Sequence, residues 1–134
     1  MKITIIISSI LIAGAIIGGV FLIINRDESL DNKTPNGSNV SIIDGKQIIE
    51  IRARGGYQPR ISVAKANVPT VVRFVTSTTF DCSSFVRFPS MGIVKTLPPT
   101  GTTDVDIGSQ NAKTLLGSCG MGMYPFQIDF KDSL

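Results

Sequence analysis

In Cys119-Gly120-Met121-Gly122-Met123-Tyr124-Pro125-Phe126-Gln127-Ile128-Asp129-Phe130, a glycine-spaced run of sulfur residues passes into a strict alternation of apolar and polar side chains. Tyr124, Phe126, Ile128 and Phe130 fall on one side, and Gln127 and Asp129 separate the last three. A period of two is the signature of a half-buried strand. Pro125 lies at the start of the run, where a missing ladder donor is tolerated. The sulfurs just upstream are therefore expected in a loop that feeds a strand. In extended chain Cys119, Met121 and Met123 would face one way, and Gly120 and Gly122 would allow close backbone approach.

The same period recurs toward the N-terminus. Ile49, Ile51 and Ala53 alternate with Glu50, Arg52 and Arg54. A turn follows at Gly55-Gly56-Tyr57-Gln58-Pro59, and Ile61 and Val63 alternate again. Thr70 to Thr76 is β-branched and aromatic, and Val105 and Ile107 alternate with Asp104 and Asp106. Short strands divided by Gly, Pro, Ser and Thr predict a sandwich or barrel over 41–134. Residues 26–40 are polar and turn-rich, a linker composition. From Ile3 to Ile24 no residue is charged. As a helix rising ~1.5 Å per residue, that stretch matches a bilayer core of about 30 Å. It is longer than a signal-peptide core and no A-x-A cleavage site follows, so 1–25 is expected to be an uncleaved transmembrane anchor. Gly14 and Gly18 form a G-x-x-x-G spacing within it. The expected fold class is all-β, a sandwich or barrel preceded by one N-terminal transmembrane helix.

Composition narrows the chemistry. The chain has 134 residues, a net charge of +3, two cysteines, four methionines and no histidine. Its basic residues are scattered, with no clustered stripe for nucleic acid. Histidine is unavailable as a general base, and no nucleophile–base pair is visible. Two cysteines cannot supply the four ligands of structural zinc. A blue-copper electron-transfer centre needs two histidines and is excluded for one chain. Two thiolates and several thioethers suit copper(I), a soft ion. Cys82, in the polar stretch after the Thr70–Thr76 strand, is positioned to complete a site with Cys119. A thiolate-centred site would bind tightly and a thioether-centred one more weakly. Two other readings stay open: a Cys82–Cys119 disulfide in an extracellular β-domain, or buried thiols with methionines as core filler.

The Gly55-Gly56-Tyr57-x-Pro59 turn and the final Cys-x-Met-x-Met before a strand resemble the cupredoxin-like domains that accompany bacterial copper-exporting P-type ATPases. With the N-terminal apolar stretch, the chain resembles membrane-anchored copper(I) chaperones of that family. The resemblance implies a cupredoxin-like fold and two copper(I) per chain. It implies the tighter ion at Cys82 and Cys119, the weaker at Met121 and Met123, and an acidic ligand whose nearest match is Glu50. Met91 lies outside the family pattern and is expected to pack in a loop. The implied role is delivery of copper(I) to the metal-binding domain of the export ATPase, giving copper resistance, with the domain tethered at the cytoplasmic face of the cell membrane. A copper(I) buffer that only sequesters the ion is the alternative.

Overall fold

In a computed structural model, the structure describes residues 39–134. Alternation at Ile49, Ile51 and Ala53 forms β2 (Lys46–Ala53), with the polar partners Glu50 and Arg52 in solvent. On one flank β2 pairs antiparallel with β1 (Val40–Ile43), Val40 standing opposite Ile49. On the other it pairs in parallel with β5 (Pro69–Thr76), Ile51 opposite Phe74. β5 pairs antiparallel with β8 (Gly101–Ser109), and the two-residue β3 (Tyr57–Gln58) joins the end of β2. A parallel β2–β5 pair needs a crossover, and part of it is β4 (Ile61–Lys65), which belongs to the second sheet.

The second sheet runs in the order β4, β10 (Phe126–Lys131), β9 (Thr114–Cys119), β6 (Phe85–Phe88), β7 (Ile93–Thr96). β10 is parallel to β4 and antiparallel to β9. Each sheet is thus five-stranded and mixed. One apolar cluster joins them: Ile49, Ile51, Val72, Phe74, Val105 and Ile107 from the first, Val86, Phe88, Leu115, Phe126, Ile128 and Phe130 from the second.

This corrects the expected fold class. A cupredoxin-like sandwich or barrel behind one transmembrane helix is not what residues 39–134 form. They make two mixed sheets, and the helical elements among the described residues are two three-residue 3-10 turns. Among them no helix is long and apolar enough to cross a membrane. The physical reason is short period-two or β-branched runs divided by Gly, Pro and Thr, with no 3.6-residue repeat among the described residues. The segment 1–25 expected to span a bilayer lies outside the described residues.

Two packing features join the sheets. Phe126 is 2% exposed and its ring sits 4.7 Å from Tyr57, 5.6 Å from Phe88 and 5.9 Å from Phe74, centroid to centroid. Tilted and edge-on pairs at these separations add to area burial. Opposite Phe126 on β9 stands Gly117. A methyl group there would lie within 2.7 Å of three atoms of the Phe126 ring. Gly117→Ala is therefore expected to destabilise the domain by about 1–3 kcal/mol through overpacking. A urea unfolding curve with an unchanged midpoint would refute that account of the Gly117–Phe126 pair. The buried amide of Gln47 joins the sheets by a different route. It donates to Lys65 O (3.0 Å) and Thr70 Oγ1 (2.9 Å) and accepts from Lys65 N (2.8 Å). Its polar atoms are satisfied, as burial requires.

Candidate metal centre

The stretch after β5 is polar, yet it is held at several points. Thr79 is buried and its hydroxyl donates to Ala53 O on β2. Asp81 then caps a 3-10 turn, Cys82–Ser84. Its carboxylate accepts from Ser83 N (2.7 Å), from the Ser83 hydroxyl, and from Gly55 N (2.8 Å) in the β2–β3 turn. Asx capping of this kind fixes the entry to a helical turn. The Ser83 hydroxyl chiefly, with these backbone N–H groups, holds the Asp81 carboxyl below its ordinary range. Tyr57 supports the turn from beneath, its hydroxyl 3.2 Å from both Ser83 O and Phe85 O. Burial foremost, with the Asp81 charge behind it, pushes the Tyr57 phenol up, so it stays a donor.

Cys119 is the last residue of β9, opposite Val86 of β6, and is fully buried. The backbone does not continue extended beyond it. Gly122 N donates to Cys119 O (2.9 Å) and Cys119 N donates to Met123 O (3.0 Å), closing a turn. Gly122 sits at φ +76°, a conformation that suits glycine. The expectation that Cys119, Met121 and Met123 line one face of an extended segment is corrected on this ground. The turn leaves Met121 82% and Met123 53% exposed, with Cys119 at the floor. Tyr124 is in the turn as well, at φ +51°, and β10 begins at Phe126. Its ring lies 3.5 Å from where a side chain on Gly56 would start.

The structure joins Cys82 to Cys119 in a disulfide, Cα atoms 5.8 Å apart and 37 residues apart in sequence. The expected convergence of these two cysteines on one site is therefore present, in oxidised form. Met121 and Met123 follow within four residues of Cys119, in the turn that its backbone closes, and both are exposed. Glu50 is not brought to the sulfurs. The period of β2 turns it to the solvent face, on the side opposite Ile49 and Ile51, which share the core with Cys119. Its parallel partner there is Arg73, which pairs with Asp104 at 2.8 Å. Among the described residues no three Cys, Asp or Glu side chains gather into a metal-holding cluster. Met91 lies in the second 3-10 turn, partly buried against the core, as loop packing requires. Asp81 and Tyr57 were absent from the sequence-based site. Asp81 followed two positions later by Ser83 is an N-cap signal that could have pointed to it.

The donor set fits a soft monovalent ion once the cysteines are reduced: two sulfurs converging from a capped turn and a strand end, with two exposed methionines in the turn that follows. Phe80 and Phe85 are exposed near this end of the molecule, 80% and 49%.

No family model matches the chain, and no curated protein matches it in sequence. Solved structures do match it in fold. The metal-binding domain of the Streptococcus pneumoniae D39 Cu(I)-exporting P-type ATPase CopA, crystallised with Cu(I), superposes with a TM-score of 0.64 at 23% identity. The match covers 70% of this chain and 94% of that one. A copper binding protein solved by NMR in the apo form matches with a TM-score of 0.64 at 27% identity, covering 69% of this chain and 94% of its own.

Proposed function

We propose that this domain binds copper(I) through the reduced Cys82 and Cys119, with Met121 and Met123 forming a weaker neighbouring site, and that it is a carrier and not an enzyme. The observation that carries the reading is the meeting of Cys82 and Cys119 beneath an exposed two-methionine turn, in a chain without histidine. The two solved structures that share its fold, described as a Cu(I)-bound metal-binding domain and a copper binding protein, support it.

The chemistry follows from the donors. Thiolates hold copper(I) more firmly than neutral thioethers, so an ion caught at the exposed Met121/Met123 turn moves downhill to the cysteine pair. Low coordination leaves room for an incoming sulfur, which lets the ion pass by ligand exchange. The partner we propose is the metal-binding domain of a copper-exporting P-type ATPase. Such an exchange requires a compartment in which thiols stay reduced. Binding must also release protons from the cysteines, so affinity falls in acid.

An anaerobic titration of the reduced protein against a copper(I) chelator tests this. It is expected to give about two copper(I) per chain. Met121→Ser combined with Met123→Ser is expected to remove the weaker equivalent and leave the tighter. A reduced protein that takes up no copper(I) would contradict the reading. Transfer to an ATPase metal-binding domain, followed by the same chelator, separates a carrier from a buffer.

The disulfide favours a second reading, in which Cys82 and Cys119 serve only to staple the domain. Closing a loop of that length stabilises by roughly 3–4 kcal/mol in the chain-entropy treatment. A thiol count on anaerobically purified protein distinguishes the two: two free thiols for the metal site, none for the staple.

A further inference from the structure

Cys82 and Cys119 can serve as metal ligands or as a disulfide, never both at once. The structure shows the backbone that presents them with the bond closed. Cys82 sits on a turn tied down by Asp81 and Tyr57, and Cys119 ends a strand fixed by its ladder to Val86. Their Cα atoms are 5.8 Å apart, within the usual disulfide range of about 4.4–6.8 Å. Both elements hold the two cysteines where the bond can form. The two sulfurs differ in access: Cys119 is fully buried, whereas Cys82 is only partly buried. Met121 and Met123 cannot join a disulfide, and both are exposed while it is formed.

We infer that this pair is a redox gate on the domain's tight copper site, with Cys82 the attacking thiol and Cys119 the resolving one; the inference rests on the copper(I) reading above. The oxidant is a low-molecular-weight disulfide of the glutathione class. The Cys82 thiolate attacks one sulfur of that disulfide, forming a mixed disulfide and expelling one small thiolate. The Cys119 thiolate then attacks the Cys82 sulfur, closes the internal bond and expels the second small thiolate. The protein loses two electrons and the small disulfide gains them. Two protons from water convert the two expelled thiolates to thiols. Copper(I) keeps its oxidation state and leaves because both its thiolates are consumed. Exchange of this kind runs through the thiolate that the partner can reach, which here is Cys82. The thioether site survives, so oxidation lowers capacity from two ions to one.

The test uses the copper(I)-loaded, reduced protein with oxidised glutathione and a chromogenic copper(I) chelator too weak to strip the loaded protein unaided. The expected result is release of about one of the two copper(I) ions as the protein's two thiols disappear. Cys119→Ser is expected to trap a glutathione adduct on Cys82, seen by intact mass, while Cys82→Ser forms at least ~10-fold less adduct on Cys119. Should either variant fold poorly, limiting iodoacetamide on the reduced wild-type protein reads the same order, with Cys82 alkylated first. Copper retained while the disulfide forms would overturn the inference and leave the copper(I) reading intact. Preferential modification of Cys119 would overturn the assigned order. A reduced protein that never binds copper(I) would defeat the copper reading itself, which the uptake step shows before any oxidant is added.

Discussion

Phe126→Ala is expected to destabilise the domain by about 3–5 kcal/mol, the range for truncating a buried aromatic. A domain of this size has a total stability of only about 5–15 kcal/mol. One residue would thus remove a large share of it. The size of the effect comes from position. Phe126 lies against three other rings, Tyr57, Phe74 and Phe88, and its own ring covers Gly117. Truncation opens a cavity that the glycine opposite cannot fill, and partial collapse would move β9. That strand ends in Cys119, so the loss extends to the sulfur site. Urea denaturation of the wild-type and variant proteins, both reduced, measures it. Leu116→Ala serves as control: Leu116 is 60% exposed on the same strand, and a change within about 0.5 kcal/mol is expected there. A Phe126→Ala cost near that of the control would refute the aromatic centre as the main support of the second sheet.

Replacing Cys82 and Cys119 together by serine is expected to abolish tight copper(I) binding while leaving a weak equivalent at Met121 and Met123. Loss of partners one shell outside a metal already lowers affinity about 10–100-fold. Loss of both thiolates must exceed that, because a serine hydroxyl is a hard neutral donor that copper(I) disfavours. The same change removes the disulfide from the oxidised protein, with an expected stability loss of roughly 3–4 kcal/mol. The two effects separate by redox state. Under reduction only copper affinity should fall sharply, and under oxidation only stability should.

The parts of the fold legible in the sequence are those whose burial alternates. β2 and β10 carry Ile49/Ile51 and Phe126/Ile128/Phe130 on inward positions and form where the period of two predicts, and β5, with Phe74 inward, forms where the β-branched and aromatic run predicts. β9 was not legible. Gly117, Ser118 and Cys119 are buried in succession and Leu116 is exposed, because Phe126 lies over the glycine and β6 covers the end of the strand. The two parallel pairings, β2 with β5 and β4 with β10, join segments distant in the chain, and no local pattern encodes such register. At the site, the pairing of Cys82 with Cys119 was legible from residue type and loop placement. Their oxidation state was not, since residue type and spacing are the same for two thiols as for a disulfide. The Glu50 assignment fails on strand parity: the neighbours that send Ile49 and Ile51 inward send Glu50 outward.

The most direct measurement is copper(I) stoichiometry, by anaerobic chelator competition, of the fully reduced wild-type protein beside the Cys82→Ser/Cys119→Ser protein. The account predicts about two ions for the first, one of them tight, and a single weak ion for the second. Unchanged tight binding in the double variant would contradict it.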